Sequence, residues 1–258
     1  MSAEQASAEQ AGAEQAGPTA KGTAVSSTVQ QIVYTRDEPR WHALAAALGL
    51  AAPFPPEAGW AEFDGGGALA VHAETPDHAD GTCDLHLLVD DLDAAERALA
   101  GREVERTHLD GVGDLLVIRA ASGVVISASA GTRATAGAVS VQPIWFQDDV
   151  DEACEILTAL GLRADIAADR GGWVEMRAAG GGTVGVHSAS GRSEGSGAGI
   201  GLSFLAEGDL DALAARLTDA GFPASVVDES YARTIRIAEP DVWINGAQDD
   251  LYGYHRVS

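Results

Sequence analysis

Short β-branched or aromatic runs alternate along this chain with segments whose apolar residues recur at helical spacing. The run 29–35 (Val29, Ile32, Val33 and Tyr34 among it) suits a strand. Asp37 is placed to cap a helix, Pro39 suits a first helical turn, and Trp41, Leu44, Ala45 and Leu48 share one helical face before Gly49. Strands are then expected around Ala52, over 60–63 and over 68–73. The order restarts with a strand at 84–89, an Asp91-capped helix carrying Leu92, Ala95 and Leu99, and strands over 103–107, 115–119 and 124–129.

The whole plan then repeats. Gly59-Trp60-Ala61-Glu62, the triplet Gly65-Gly66-Gly67 and Val71-His72 return as Gly172-Trp173-Val174-Glu175, Gly180-Gly181-Gly182 and Val186-His187, 113 to 115 positions further on. Val141–Phe146 matches Val29–Tyr34 and is expected to form one strand. Leu202–Leu205 matches Leu85–Leu88, Asp209-Leu210-Asp211-Ala212 repeats Asp91-Leu92-Asp93-Ala94, and 235–237 and 242–245 supply the last strands. The pattern predicts an α+β chain of four βαβββ modules in two tandem domains, 28–131 and 139–258, joined by a Gly-, Thr- and Ala-rich linker over 132–138. Residues 1–27, with near-repeats of Ala-Glu-Gln and few large apolar residues, are expected to be a disordered tail.

Composition narrows the function. With 39 acidic against 16 basic side chains, the formal charge of -23 disfavours phosphate backbones and anionic membrane surfaces. No apolar run approaches the roughly 18 residues of a membrane span, no signal peptide is visible, and Cys83 and Cys154 form neither a disulfide framework nor a zinc motif. A cytoplasmic protein is expected, with no nucleic-acid or membrane partner. The glycine triplets precede strands and are expected to be turns, not phosphate cradles.

The module order, Leu-Gly-Leu after each first helix, Val89-Asp90-Asp91-Leu92-Asp93, and Glu239-Pro240-Asp241 before the last strand resemble the vicinal oxygen chelate superfamily. That superfamily includes glyoxalase I, bleomycin-resistance proteins and extradiol dioxygenases. The resemblance covers roughly 28–258 and implies that two modules close a cupped mixed sheet, helices outside, around a pocket. It also implies positions for metal ligands on four strands. In the first half these fall at Gln30, at Ala70 with His72 on the same face, at Asp84 with His86, and at Ser127. In the second half they fall at Gln142, Gly185 with His187, Gly201 with Ser203, and Asn245.

A catalytic divalent ion needs about three imidazole or carboxylate ligands with a position left open. The second half offers one histidine and neutral amides, so no metal cofactor is expected there. Instead Gln142, His187, Ser203 and Asn245, with Phe146 and Trp243 on the same faces, suggest an aromatic-lined cup for a small molecule. The first-half cup carries Tyr34 and His72. The expected function is metal-independent binding of a small organic molecule, for sequestration or resistance, by a chain preferred as a monomer. The alternative is a divalent-metal lyase, isomerase or dioxygenase using Gln30, His72, Asp84 and His86. Trp60 and Trp173 are expected in the core, and His42, His78, His108 and His255 in solvent. The final run Asp249–Tyr254 is expected to seal a sheet edge or the domain interface.

Overall fold

The structure, a computed structural model, describes residues 25–191, 197–229, 232–247 and 253–257; the expected tail up to residue 24 and most of the run 249–254 lie outside them. In the first half β1 (Ser27–Thr35), α1 (Glu38–Leu48), β2 (Trp60–Gly65) and β3 (Gly67–Ala73) form one module. Then β4 (Cys83–Val89), α2 (Leu92–Ala98), β5 (Glu103–Leu109), β6 (Gly113–Arg119) and β7 (Val125–Ala130) form the next. The strand expected near Ala52 is reduced to a single bridge between Ala51 and Asp64.

The second half runs β8 (Val139–Val141), β9 (Ile144–Gln147), α3 (Val150–Ala159), β10 (Arg163–Ala168), β11 (Trp173–Arg177), β12 (Thr183–Ser188) and a single turn at Ala189–Gly191. It continues with β13 (Gly199–Gly201), β14 (Phe204–Ala206), α4 (Leu210–Asp219), β15 (Ala224–Asp228), β16 (Arg233–Ile237), β17 (Val242–Gly246) and β18 (Tyr254–Arg256). An aspartate precedes each α-helix, and the Asp37, Asp91, Asp149 and Asp209 side chains each accept a backbone N–H of the first turn.

The first half is one seven-stranded sheet, β2-β3-β1-β4-β7-β6-β5, in which β1 pairs in parallel with β3 and antiparallel with β4. The second half follows the same plan but is split into β13-β9-β12-β11-β10-β18 and β15-β16-β17-β14-β8. The single strand expected over 141–146 is therefore two. Pro143 stands where the first half has Gln31; it has no N–H to give a ladder, and the partner strand breaks at the same level, between β13 and β14. β18 adds an outer strand to one sheet through the pairs Ile166–Arg256 and Ala168–Tyr254.

The glycine triplets turn out to be the contact between the halves. Gly66 N–H donates to Val139 O and Val141 N–H to Gly66 O; reciprocally, Gly180 N–H donates to Ser27 O and Val29 N–H to Gly181 O. Each half thus lays its hairpin against the first strand of the other. A Cβ on Gly67 would sit 2.5 Å from Val141 Cγ2, and one on Gly182 2.7 Å from Val29 Cβ; both residues hold positive φ. Only glycine permits this approach. Residues 132–138 are drawn into the same seam: Thr135 Oγ1 accepts Gly67 N–H and donates to Gly180 O, and Arg133 pairs with Glu62 and Asp64. The buried apolar side chains of both halves form one continuous cluster.

Candidate functional site

The second-half cup encloses a cavity of about 1080 Å³. Smaller residues stand here at positions that carry larger ones in the first half. Gly185 stands for Ala70, Gly201 for Asp84 and Ser203 for His86. Trp173 folds over Gly185, where a Cβ would meet its ring at 2.3 Å, and Phe146 leans over Gly201, where a Cβ would meet its ring at 3.0 Å. The apolar walls are Ile144, Phe146, Ile166, Trp173, Ile200 and Trp243. One face of Trp243 is already covered by the Arg236 guanidinium, 3.7 Å from the ring centroid.

The polar residues expected in this cup converge. Asn245 Nδ2 donates to Gln142 Oε1 (2.9 Å) and to Ser203 Oγ (3.1 Å), and Gln142 Nε2 donates to Glu175 Oε2 (3.0 Å). His187 lines the same cavity and holds Ser188 O at 2.8 Å through Nδ1, while its ring meets Trp173 edge-on. Since a carbonyl only accepts, neutral His187 carries its hydrogen on Nδ1 and presents Nε2 as an acceptor.

Glu175, not expected at the site, anchors this network. Buried at 6% exposure, it takes Gln142 on one oxygen and Arg177 Nη2 (2.9 Å) on the other. Burial raises its pKa, and Arg177 opposes that only in part. The signal was in the sequence: Trp173 and Glu175 alternate onto one face, and their register partners on β12 are His187 and Gly185. The same register corrects the expectation for the tryptophans. Trp60 and Trp173 are half-buried across from His72 and His187, with ring centroids 5.6 and 5.7 Å apart; Trp173 lines the cavity.

The first-half cup is filled. Tyr34 donates to Asp84 Oδ2 (2.9 Å) and stacks on His78 (4.1 Å between centroids), whose Nε2 lies 3.2 Å from the same carboxylate oxygen. His78 thus joins this cluster, with its side chain still 38% exposed in the loop where a solvated position was expected. His42 too is half-buried, its Nε2 enclosed without a partner, whereas His108 and His255 are exposed. Burial first, then Asp84, push the Tyr34 hydroxyl well above the usual phenol range. His86 sits between Ser127 Oγ (2.7 Å from Nδ1) and Ser129 Oγ (2.9 Å from Nε2), and burial lowers its pKa to about 4. Cys83 faces the second-half cavity, and burial, then Asp84, push its thiol well above the usual range.

The four residues considered for a metal do not meet. Gln30 pairs in register with His86, whereas His72 pairs with Tyr34, four residues along β1, about 13 Å away at strand spacing. Both His86 nitrogens are taken by hydroxyls, and His72 Nδ1 is held by Ala73 O. Among the described residues no three His, Cys, Asp or Glu side chains are grouped to hold an ion, so the residues present do not fit a divalent centre of that kind.

No family model matches the sequence, and no curated protein matches it significantly. Solved structures do. The homoprotocatechuate 2,3-dioxygenase from Brevibacterium fuscum, in its complex with 3,4-dihydroxyphenylacetate, aligns over 90% of this chain and 84% of its own, at TM-score 0.56 and 13% identity. A catechol 2,3-dioxygenase aligns over 86% of this chain and 87% of its own, at TM-score 0.53 and 17% identity. The fold is that of these dioxygenase structures. A xylose isomerase-like TIM barrel/4-hydroxyphenylpyruvate dioxygenase fusion protein also matches, with TM-score 0.56, 13% identity and 92% of this chain covered; the chain spans about half of it, 52%. At these identities the likeness to the dioxygenases carries architecture, not chemistry. Among the described residues no helix is long and apolar enough to cross a membrane.

Proposed function

We propose that this chain binds a small organic molecule in its C-terminal cavity without the help of a divalent ion. One observation carries the reading: the four strand positions that a metalloenzyme of this fold would use are here Gln142, Gly185, Gly201 and Asn245, and Asn245 is hydrogen-bonded to Gln142 and to Ser203, the neighbour of Gly201 on the same face. Amides already spent on each other and on a buried carboxylate hold the shape of a cup; they do not make the ligand set of a divalent ion. The hydrophobic walls with a few directed polar groups are what an organic ligand needs. Since both halves of the chain line the cavity, one copy is enough to complete it. Sequestration of a toxic or reactive compound is the role that such a site serves without catalysis.

The experiment is a thermal-shift scan of metabolites and aromatic antibiotics, repeated on Trp243→Ala. The expected result is at least one compound that raises the midpoint of the wild-type chain and not of the variant. Stabilisation that survives in the variant would place the ligand elsewhere.

A further inference from the structure

The donor and acceptor pattern of the cavity floor narrows the ligand class, on the premise that this cavity binds an organic molecule. As a carboxylate, Glu175 only accepts hydrogen bonds, which fixes Gln142 with Nε2 toward it and Oε1 toward Asn245. Asn245 must then turn Nδ2 to Gln142 and Ser203, leaving Oδ1 as its unspent atom. His187 has Nδ1 on Ser188 O, leaving Nε2. Apart from the second Gln142 Nε2 hydrogen, the side-chain atoms left over at the floor are therefore acceptors.

The mouth has the matching charge. It is formed partly by the first half, through the start of α1 and the 80–83 segment, and partly by the turn before β17. Among the described residues, Asp37, Asp80, Glu239 and Asp241 line it, against one cation, Arg40. Arg40 is partly committed: its Nη2 donates to Gly221 O (3.0 Å) and Glu239 O (3.2 Å), and its guanidinium covers Phe222 at 4.0 Å, so its one charge stands against four carboxylates.

We infer that the cavity takes a cationic nitrogen compound, a flat apolar body bearing an ammonium, amidinium or guanidinium group. Its ring lies between Phe146 and Trp173, its N–H or O–H donors meet Asn245 Oδ1 and His187 Nε2, and its charge rests in the field of the mouth carboxylates. An anionic ligand of the same shape meets acceptors at the floor and repulsion at the mouth.

The test uses two matched sets, tryptamine, tryptophol and indole-3-acetate, and 2-phenylethylamine, 2-phenylethanol and phenylacetate, titrated calorimetrically into the full chain at low and high salt. The ammonium member of a set should bind at least about tenfold more tightly than the carboxylate, with a margin that narrows in high salt. In Asp80→Asn/Glu239→Gln/Asp241→Asn, checked for folding by its thermal midpoint, that ratio should fall toward one. Equal affinities within a set, or a preference for the carboxylate, overturn the inference and leave cavity binding standing. Failure of every compound to bind counts against both.

Discussion

Asn245 Nδ2 donates to Gln142 Oε1 across 2.9 Å, although 103 positions separate the two residues in sequence. The bond spans the place where the second-half sheet splits, from β17 to the residue just before Pro143. Asn245→Ala removes the donor and leaves a buried carbonyl oxygen on Gln142 unsatisfied, a loss of about 1–3 kcal/mol. Asn245→Asp should be worse, because Glu175 holds Gln142 with its oxygen toward the new carboxylate. Urea titration of both variants checks this; an aspartate variant as stable as the parent would contradict the assigned network direction.

The glycine seam gives a second prediction. Ala at Gly182 meets Val29 and Val141 and must also adopt positive φ, whereas Ala at Gly111, with similar φ, meets open space. Backbone strain alone costs about 1 kcal/mol. Gly182→Ala should therefore destabilise by at least about 1–3 kcal/mol more than Gly111→Ala, the overpacking increment. Equal denaturation midpoints would mean that the halves do not pack through this hairpin.

His86 sets a pH dependence. Its folded pKa of about 4 lies below the unfolded value of 6.5, so the native state binds fewer protons between those values. Stability is fully present above about pH 6.5 and declines as pH falls toward 4, by about 3 kcal/mol from this group. His86→Gln should lack that part of the slope. An unchanged difference in unfolding free energy between pH 7 and pH 4.5 would show that His86 is not held neutral between Ser127 and Ser129.

Gly185 gives a steric test of the cavity. A side chain there pushes the Trp173 ring, so Gly185→Val should narrow the hollow and abolish ligand-induced stabilisation, at a folding cost of about 1–3 kcal/mol. A folded variant that still binds its compound would place the ligand outside this cup.

Much of the fold could be read directly because its signals are local: capping aspartates, runs of β-branched residues, and a duplicated motif that tied the halves together. The convergence of Gln142, Ser203 and Asn245 was legible through strand alternation and the family resemblance. What escaped was non-local. Pro143 marks a break in the strand, but only the pairing of β8 and β9 with different sheets shows its consequence. Glu175 and Trp173 were visible as a motif, yet their place in the cup depends on the β11–β12 register. The glycine triplets looked like ordinary turns because the strand they press on lies in the other half. His78 looked like a loop residue, and only the fold stacks it on Tyr34.

Whether the C-terminal cup works without an ion is measured most directly by calorimetric titration of a compound found by the thermal scan, before and after exhaustive chelation. The account predicts one site per chain with the same affinity in both, lost in Gly185→Val. Binding that disappears on chelation and returns with a divalent ion would contradict it.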